Sequence, residues 1–167
     1  MASRLLIIAG EASGDLHGSA LITELIKMNK DIEIYGIGGD KMISSGMKAN
    51  FHINQMSFLG FIEIIKHLPF IRKVKRELLH LVKEKNIHNV VLIDYPGFNL
   101  SFAKSVNKLG IKSIYYISPQ IWAWGHGRIT KIREYISRMI VLFPFEQKLY
   151  TKNQINSDFV GHPLAKS

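Results

Sequence analysis

An α/β fold built on a parallel sheet is what this 167-residue sequence predicts, and three observations predict it. Short apolar runs alternate with helical patterns along the whole chain. The runs are continuous and rich in β-branched residues, the mark of strands buried on both faces. Glycines, acids and aromatics gather where the runs end, which is the edge where such sheets bind ligands. Right-handed crossovers between parallel strands then imply a doubly wound, Rossmann-like layer.

Taken in order, the first strand is expected at Leu5–Ala9, five apolar residues stopped by Gly10. A helix follows over Leu16–Met28, then a strand at Glu33–Gly36 and a short helix at Lys41–Ser45. A long helical pattern covers Phe61–Lys85, with Pro69 expected to break or kink it. Val90–Ile93 reads as a central strand and Leu100–Leu109 as its helix. The remaining pairs are Ser113–Ile117 with Gly127–Tyr135, and Met139–Leu142 with Glu146–Thr151, before a last strand at Asp158–Val160. No internal repeat or low-complexity tract interrupts them.

Composition narrows the class. With 47% hydrophobic and 21% charged residues the chain is an ordinary globular domain by length and balance. The absence of cysteine excludes a disulfide scaffold and thiol catalysis, and fits a reducing compartment. The apolar start is too short for a signal peptide, and no stretch reaches the roughly 18 apolar residues of a membrane span. A cytosolic or peripheral protein is the expectation. The net charge of +9 points to an anionic partner: nucleic acid, a membrane surface or a phosphorylated substrate. A basic surface kept for solubility alone is the plainer reading.

The loop Gly10-Glu11-Ala12-Ser13-Gly14-Asp15 carries the strongest ligand signal. Glycines let a ligand approach the backbone, and free N–H groups at the start of a helix favour an anion. A simple phosphate cradle would avoid the carboxylate of Glu11, so the loop is expected to do more than hold phosphate. Neither the G-x-G-x-x-G fingerprint nor a G-K-[ST] loop follows the first strand. Gly36-Ile37-Gly38-Gly39 comes after the second strand, where close ligand approach and a tight turn are equally good explanations.

Asp94 ends the strand Val90–Ile93 and opens Tyr95-Pro96-Gly97-Phe98-Asn99. Apolar surroundings at that edge would raise its pKa and suit it to accept a proton, while a helix N-cap is the plainer role. Ser118-Pro119-Gln120-Ile121-Trp122-Ala123-Trp124 follows another strand, and its tryptophans could wall an apolar or sugar pocket or simply pack. Gly127, Arg128, Lys131 and Arg133 place cations at the start of a helix, where phosphate would sit. His17 and His162 fall on the ligand-side loops, more in keeping with structural histidines. No histidine spacing and no D-x-D pair suggests a metal, so none is expected.

The segment Phe58–Arg76 differs from the rest. Phe61, Ile65, Leu68 and Leu79 can share one buried face, with Ile62 and Phe70 well round the helix from it. Lys66, Arg72, Lys73, Lys75 and Arg76 are interleaved among them. Apolar area rimmed by cations suits an interfacial membrane segment, and packing on both sides against the protein is the alternative.

In combination these segments resemble the lipid-A-disaccharide synthases, membrane-associated glycosyltransferases of lipid A and lipopolysaccharide biosynthesis. The resemblance is carried by GEASGD at 10–15, Gly36–Gly39, LGFIEI at 59–64 and Asp94-Tyr-Pro-Gly-Phe-Asn99. SPQIWAW at 118–124, Pro144-Phe145-Glu146 and Phe159-Val-Gly-His-Pro-Leu164 continue it in order, over essentially the whole chain. Gly97 departs from it, since many members carry a second aspartate there.

The resemblance implies one half of a two-domain, B-type glycosyltransferase: residues 1–167 as the N-terminal acceptor-side domain, the UDP-sugar-binding C-terminal half lying outside the chain. It implies an inverting transfer from UDP-2,3-diacylglucosamine to 2,3-diacylglucosamine 1-phosphate (lipid X), releasing UDP and forming a β-1,6 linkage. Asp94 is then the expected base, with Glu11 as second candidate or acceptor guide. Substrate contacts are expected from Gly10, Ser13, Gly14, Asp15, Gly38, Gly39, Asn99, Ser118, Gln120, Trp122, Trp124 and Arg128. Ile62, Ile65, Lys66, Leu68, Phe70, Arg72 and Lys73 would dock on anionic lipid at the cytoplasmic face of the inner membrane. No cofactor and no nucleic acid partner is implied, and the chain alone is expected to be inactive. A UDP-sugar epimerase would lack the acyl-accepting surface, and a non-catalytic lipid-binding module would keep the loops without turnover.

Overall fold

The computed structural model describes residues 2–57, 61–119 and 127–162, with residues 61 and 62 given as backbone only. The chain divides into two compact units, Met1–His88 and Asn89–Ser167. Every strand pairing within them is parallel. This is the expected Rossmann-like α/β class.

The first unit holds β1 (Arg4–Ala9), α1 (Ala12–Met28), β2 (Glu33–Gly38), α2 (Asp40–Ser44) and β3 (Lys48–His52). A 3-10 turn (Ile53–Gln55), α3 (Phe61–Lys66) and α4 (Leu68–Glu84) complete it. Its strands lie in the order β3-β2-β1, with Ile7 opposite Gly36 and Gly36 opposite Ala49. Leu6, Ile7 and Ile8 of β1, Ile34 and Ile37 of β2, and Ile22 of α1 are wholly or almost wholly buried, so both faces of the layer are covered. Glu33 bridges Arg4 at 2.7 Å and Lys48 at 3.0 Å, tying the starts of the strands together.

The second unit holds β4 (Asn89–Ile93), α5 (Pro96–Asn107), β5 (Lys112–Tyr116) and α6 (Gly127–Tyr135). β6 (Arg138–Val141), α7 (Pro144–Lys152) and β7 (Ser157–Phe159) follow. The order is β4-β5-β6-β7, with Leu92 opposite Tyr115, Tyr115 opposite Met139 and Met139 opposite Ser157. Val90, Leu92, Ile93, Phe102, Val106, Met139 and Val141 are inaccessible to solvent and form its core.

All six expected strands are present within two residues of their predicted bounds. β3 is the addition: Lys-Ala-Asn-Phe-His has no continuous apolar run, because only Phe51 in it is buried. A side chain supplies part of its anchorage, Asn50 Oδ1 accepting from the Gly36 amide at 3.0 Å beside a register shift. α1 begins at Ala12, so Ser13, Gly14 and Asp15 are helical rather than loop. α5 begins at Pro96 rather than Leu100, since proline at the first helical position has no amide to leave unpaired.

The long pattern Phe61–Lys85 splits at His67, two residues before Pro69. The face expected to be buried is corrected. Ile65 and Leu68 are exposed, and the buried stripe is Val74, Leu78 and Val82 at a spacing of four. Phe70 turns inward, its ring edge-on to Phe51 with centroids 6.2 Å apart.

Candidate functional site

In the first unit, the junction of β1 and α1 carries the candidate residues. Gly10 is buried, Glu11 is exposed and extended as the N-cap of α1, and its carboxylate makes no capping bond. Ser13 is exposed on the first turn. Asp15 is different: buried, it accepts from the amides of Gly39 at 2.8 Å, Met42 at 3.0 Å and Lys41 at 3.2 Å. It caps α2 from across the unit, and satisfying three donors is what makes its burial tolerable.

That brace explains the neighbouring glycines. A Cβ on Gly39 would lie 2.5 Å from the Asp15 carboxylate, and one on Gly38 2.8 Å from Met47 Sδ. Gly36 takes φ +132°, where a Cβ would sit 2.0 Å from the Ile7 carbonyl oxygen. Of the two readings the sequence left open, the tight turn is the one the packing accounts for. Asp15, Gly38 and Gly39 therefore hold the frame of this unit.

In the second unit, the backbone is strained at the C-terminal ends of β4 and β5. Asp94 and Tyr95 are consecutive left-handed residues, with φ of 45° and 47°, and Ile117 just after β5 has φ 66°. Left-handed backbone is costly for side-chain-bearing residues, above all a β-branched one, and persists where surrounding bonds impose it. At Asp94 those bonds are visible. Asn99 Nδ2 donates to the Asp94 carbonyl at 2.8 Å and to that of Ile93 at 3.3 Å, and the Tyr115 hydroxyl donates to the same Asp94 carbonyl. Asp94 itself is half-buried.

Tyr115 is inaccessible to solvent, and burial raises its pKa well above the ordinary value, so it stays a proton donor. The charges of Asp94 and Arg128 both act on it, the first raising and the second lowering that pKa. The geometry on this edge thus centres on Asp94, whose carbonyl is clamped by Asn99 and Tyr115; Arg128 stands on the first turn of α6 in the same unit.

Ser118, just after β5, is buried. Its hydroxyl donates to the Pro119 carbonyl at 2.9 Å and also meets the Tyr150 hydroxyl. Glu146, on the same helix α7, accepts from the amides of Leu142 at 3.3 Å and Phe143 at 3.2 Å. Burial pushes the Glu146 carboxyl above its ordinary range. Ser118 thus anchors a buried polar network. Gln120, Trp122 and Trp124 lie outside the described residues. Exposed Phe143 and Phe145 stack at 5.7 Å after β6, and Phe143 faces His162 at 5.9 Å.

Sequence reasoning passed over Tyr115, Tyr150 and Glu146. Tyr115 offered no signal that set it apart from Tyr116 beside it in the same strand; Glu146 offered one, an acid at the third helical position, two residues after Pro144. Among the described residues no group of three His, Asp or Glu side chains is placed to hold a metal ion.

Away from these junctions, Ile64, Ile65 and Leu68 are 41%, 50% and 37% exposed around the α3–α4 break. Lys66, Arg72 and Lys73 are exposed nearby, and Ile62 is outside the side chains described. No described helix is long and apolar enough to cross a membrane.

Comparison with known proteins places these features. A family described as lipid-A-disaccharide synthetase matches residues 5–167. A lipid-A-disaccharide synthase of Coxiella burnetii is 44% identical over 98% of this chain, and one of Geobacter metallireducens 43% over 97%. The chain spans about 43% and 42% of the length of those relatives. Among solved structures, a UGT transferase of Siraitia grosvenorii in complex with UDP aligns with TM-score 0.58 at 12% identity, over 95% of this chain and 51% of its own. A UDP-N-acetylglucosamine 2-epimerase aligns with TM-score 0.62 at 9% identity, over 99% and 54%. At such identities the structures speak for the fold alone: a parallel α/β architecture that aligns with about half of each longer neighbour.

Proposed function

Because the chain belongs to the lipid-A-disaccharide synthetase family, we propose that it forms the acceptor-side domain of an inverting glycosyltransferase. The reaction joins UDP-2,3-diacylglucosamine to 2,3-diacylglucosamine 1-phosphate through a β-1,6 linkage. The acceptor hydroxyl oxygen bonds to the anomeric carbon while the bond to UDP breaks, its electron pair leaving with the diphosphate. The hydroxyl proton passes to a carboxylate, and Asp94 is that base. A second domain, of the kind that fills the rest of the longer relatives, supplies most of the UDP-sugar contacts.

One observation carries the assignment: Asp94 sits in strained backbone at the end of a parallel strand, its carbonyl clamped by Asn99 and Tyr115. Such strain costs on the order of 1–3 kcal/mol per residue and is concentrated at functional sites. A helix cap gives no reason for it, since Tyr95 and not Asp94 is the N-cap of α5. Glu11 is the second candidate, or guides the acceptor sugar. Arg128 offers a cation to a phosphate without needing a metal to do so. Exposed Ile64, Ile65 and Leu68, with Lys66, Arg72 and Lys73, support peripheral docking at the inner membrane, where the acylated substrates reside.

Asp94→Asn, in the protein carrying both domains, is expected to lower kcat by about a thousandfold, within the range of a lost general base. The circular dichroism spectrum should be unchanged. Near-normal turnover removes Asp94 as the base, and a matching loss in Glu11→Gln with Asp94→Asn active transfers the role to Glu11.

A further inference from the structure

We propose that Phe143, Phe145 and His162 form a ledge for an acyl chain of the acceptor sugar. The proposal rests on the acceptor-side reading above and names where one part of that substrate lies. Two motifs that the transfer step itself does not use meet here, Pro144-Phe145-Glu146 and Phe159-Val160-Gly161-His162. Val160 continues the pairing of β7, its amide donating to the Val141 carbonyl at 3.1 Å, and Gly161 then turns the chain at φ +78°. Beyond that turn the His162 ring lies 5.9 Å from Phe143. Phe143 in turn stacks on Phe145 at 5.7 Å, the two rings 18° from parallel.

The rings stand on a fixed turn. Phe143 is the N-cap of α7, and Pro144 sets the first helical position ahead of Phe145. The buried Glu146 carboxylate accepts from the amides of Leu142 and Phe143, bracing the same turn from the inside. Yet Phe143 and Phe145 are 45% and 53% exposed. Phe159 and Val160 are exposed at the end of β7. Of the exposed large hydrophobic side chains described in the second unit, all but Leu109 stand at the ends of β6 and β7. Apolar area gathered at one edge and held rigid there marks a binding surface.

Its position and chemistry select the occupant. β5 lies between β4 and β6 in one parallel layer, so Asp94 and Phe143 follow strand ends on the same edge. Two strand spacings put those ends about 10 Å apart. A sugar whose hydroxyl meets Asp94 therefore carries its acyl chains within reach of the rings. The ledge suits the chain better than the sugar. A sugar face needs polar side chains placed for its hydroxyls, and the acid next to Phe145 is turned inward onto backbone amides. Of the three rings only that of His162 carries polar atoms. Methylenes need no such partners, and they cover ring faces that water otherwise wets.

The test is calorimetric titration of the 167-residue chain with 2,3-diacylglucosamine 1-phosphate of long and of short acyl length, each below its aggregation concentration. The unaltered chain is expected to bind the long form more tightly. F145S should weaken that binding about tenfold, the effect of roughly two methylenes left in water, and leave the short form unaffected. F145L keeps apolar area and should retain most of the preference. Long-chain affinity in F145S equal to that of the unaltered chain overturns the ledge and leaves the acceptor-side reading intact. A length preference erased by I65S/L68S but kept by F145S overturns it too, placing the acyl chain on the α3–α4 segment. In the protein carrying both domains, a loss of turnover in F145S that is the same for both lengths overturns the ledge in favour of a contact with the second domain. Failure of the unaltered chain to bind either form overturns the ledge and the acceptor-side reading together.

Discussion

Tyr115 shows how one side chain can set the geometry of another. Its hydroxyl reaches the Asp94 carbonyl, not the carboxylate, so it positions the residue without touching substrate. Tyr115→Phe leaves the ring in the core and Asn99 still donating at 2.8 Å. The expected cost is about 1 kcal/mol of stability for a lost buried hydrogen bond. In the protein carrying both domains, kcat should fall ten- to a hundredfold at constant KM, the scale of a misplaced catalytic group. Loss of stability with kcat intact would reduce Tyr115 to packing. Asp94 itself was legible in the sequence, as a carboxylate ending an apolar run; its clamp was not, because the tyrosine is 21 residues away and meets it only across paired strands.

Titration at Glu146 carries a definite sign. Burial raises its folded pKa above the ordinary 4.5, so the folded protein holds a proton that the unfolded chain has already released. Stability therefore falls as pH rises from about 4.5 through the folded value, then stays at the lower level. Glu146→Gln should flatten that slope in denaturation curves taken across the window, and an unchanged slope would place its origin elsewhere. Glu33 has the opposite sign: Arg4 and Lys48 hold its carboxyl down to about 2, so its contribution is lost as acid approaches that value.

At the scale of elements, the α3–α4 segment separates what periodicity can tell from what it cannot. Proline chemistry located the break correctly, since Pro69 has no amide for the preceding turn. The buried face could not be inferred, because a wheel drawn through the break assumes a continuous helix. Phe70 consequently moves from the lipid side to a contact with Phe51, which is 9% exposed. Phe70→Ser should lower the free energy of unfolding by about 2 kcal/mol, less than a fully buried aromatic because Phe70 is only partly covered. Ile65→Ser, on exposed surface, should stay within about 0.5 kcal/mol. Urea denaturation of both variants decides it, and equal small effects would return Phe70 to the surface. β3 was hidden for a related reason: a strand anchored by an asparagine side chain and one buried phenylalanine shows no apolar run.

For the whole molecule, the decisive quantities are the two coverages. Relatives match 98% of this chain, yet the match spans 43% of their length, and the solved neighbours are covered to 51% and 54%. The fold was legible because most of the parallel strands are short apolar runs followed by a helix, a pattern that survives at 9–12% identity where side chains do not. In each unit the sequence was legible where charge stands out from packing, at Glu11 in the first and at Asp94 and Arg128 in the second; Asp15 and the Gly38-Gly39 turn looked alike in sequence, but their visible contacts are with the frame. On the proposed function the transfer needs a donor nucleotide and an acceptor held in line by two domains, and the 167 residues alone are then expected to form no measurable disaccharide. Supplying the remaining domain of a relative as a separate polypeptide should restore UDP release dependent on both sugars. Turnover by the chain unaided would refute the division of labour. Restored release that survives Asp94→Asn would keep the division and remove the base.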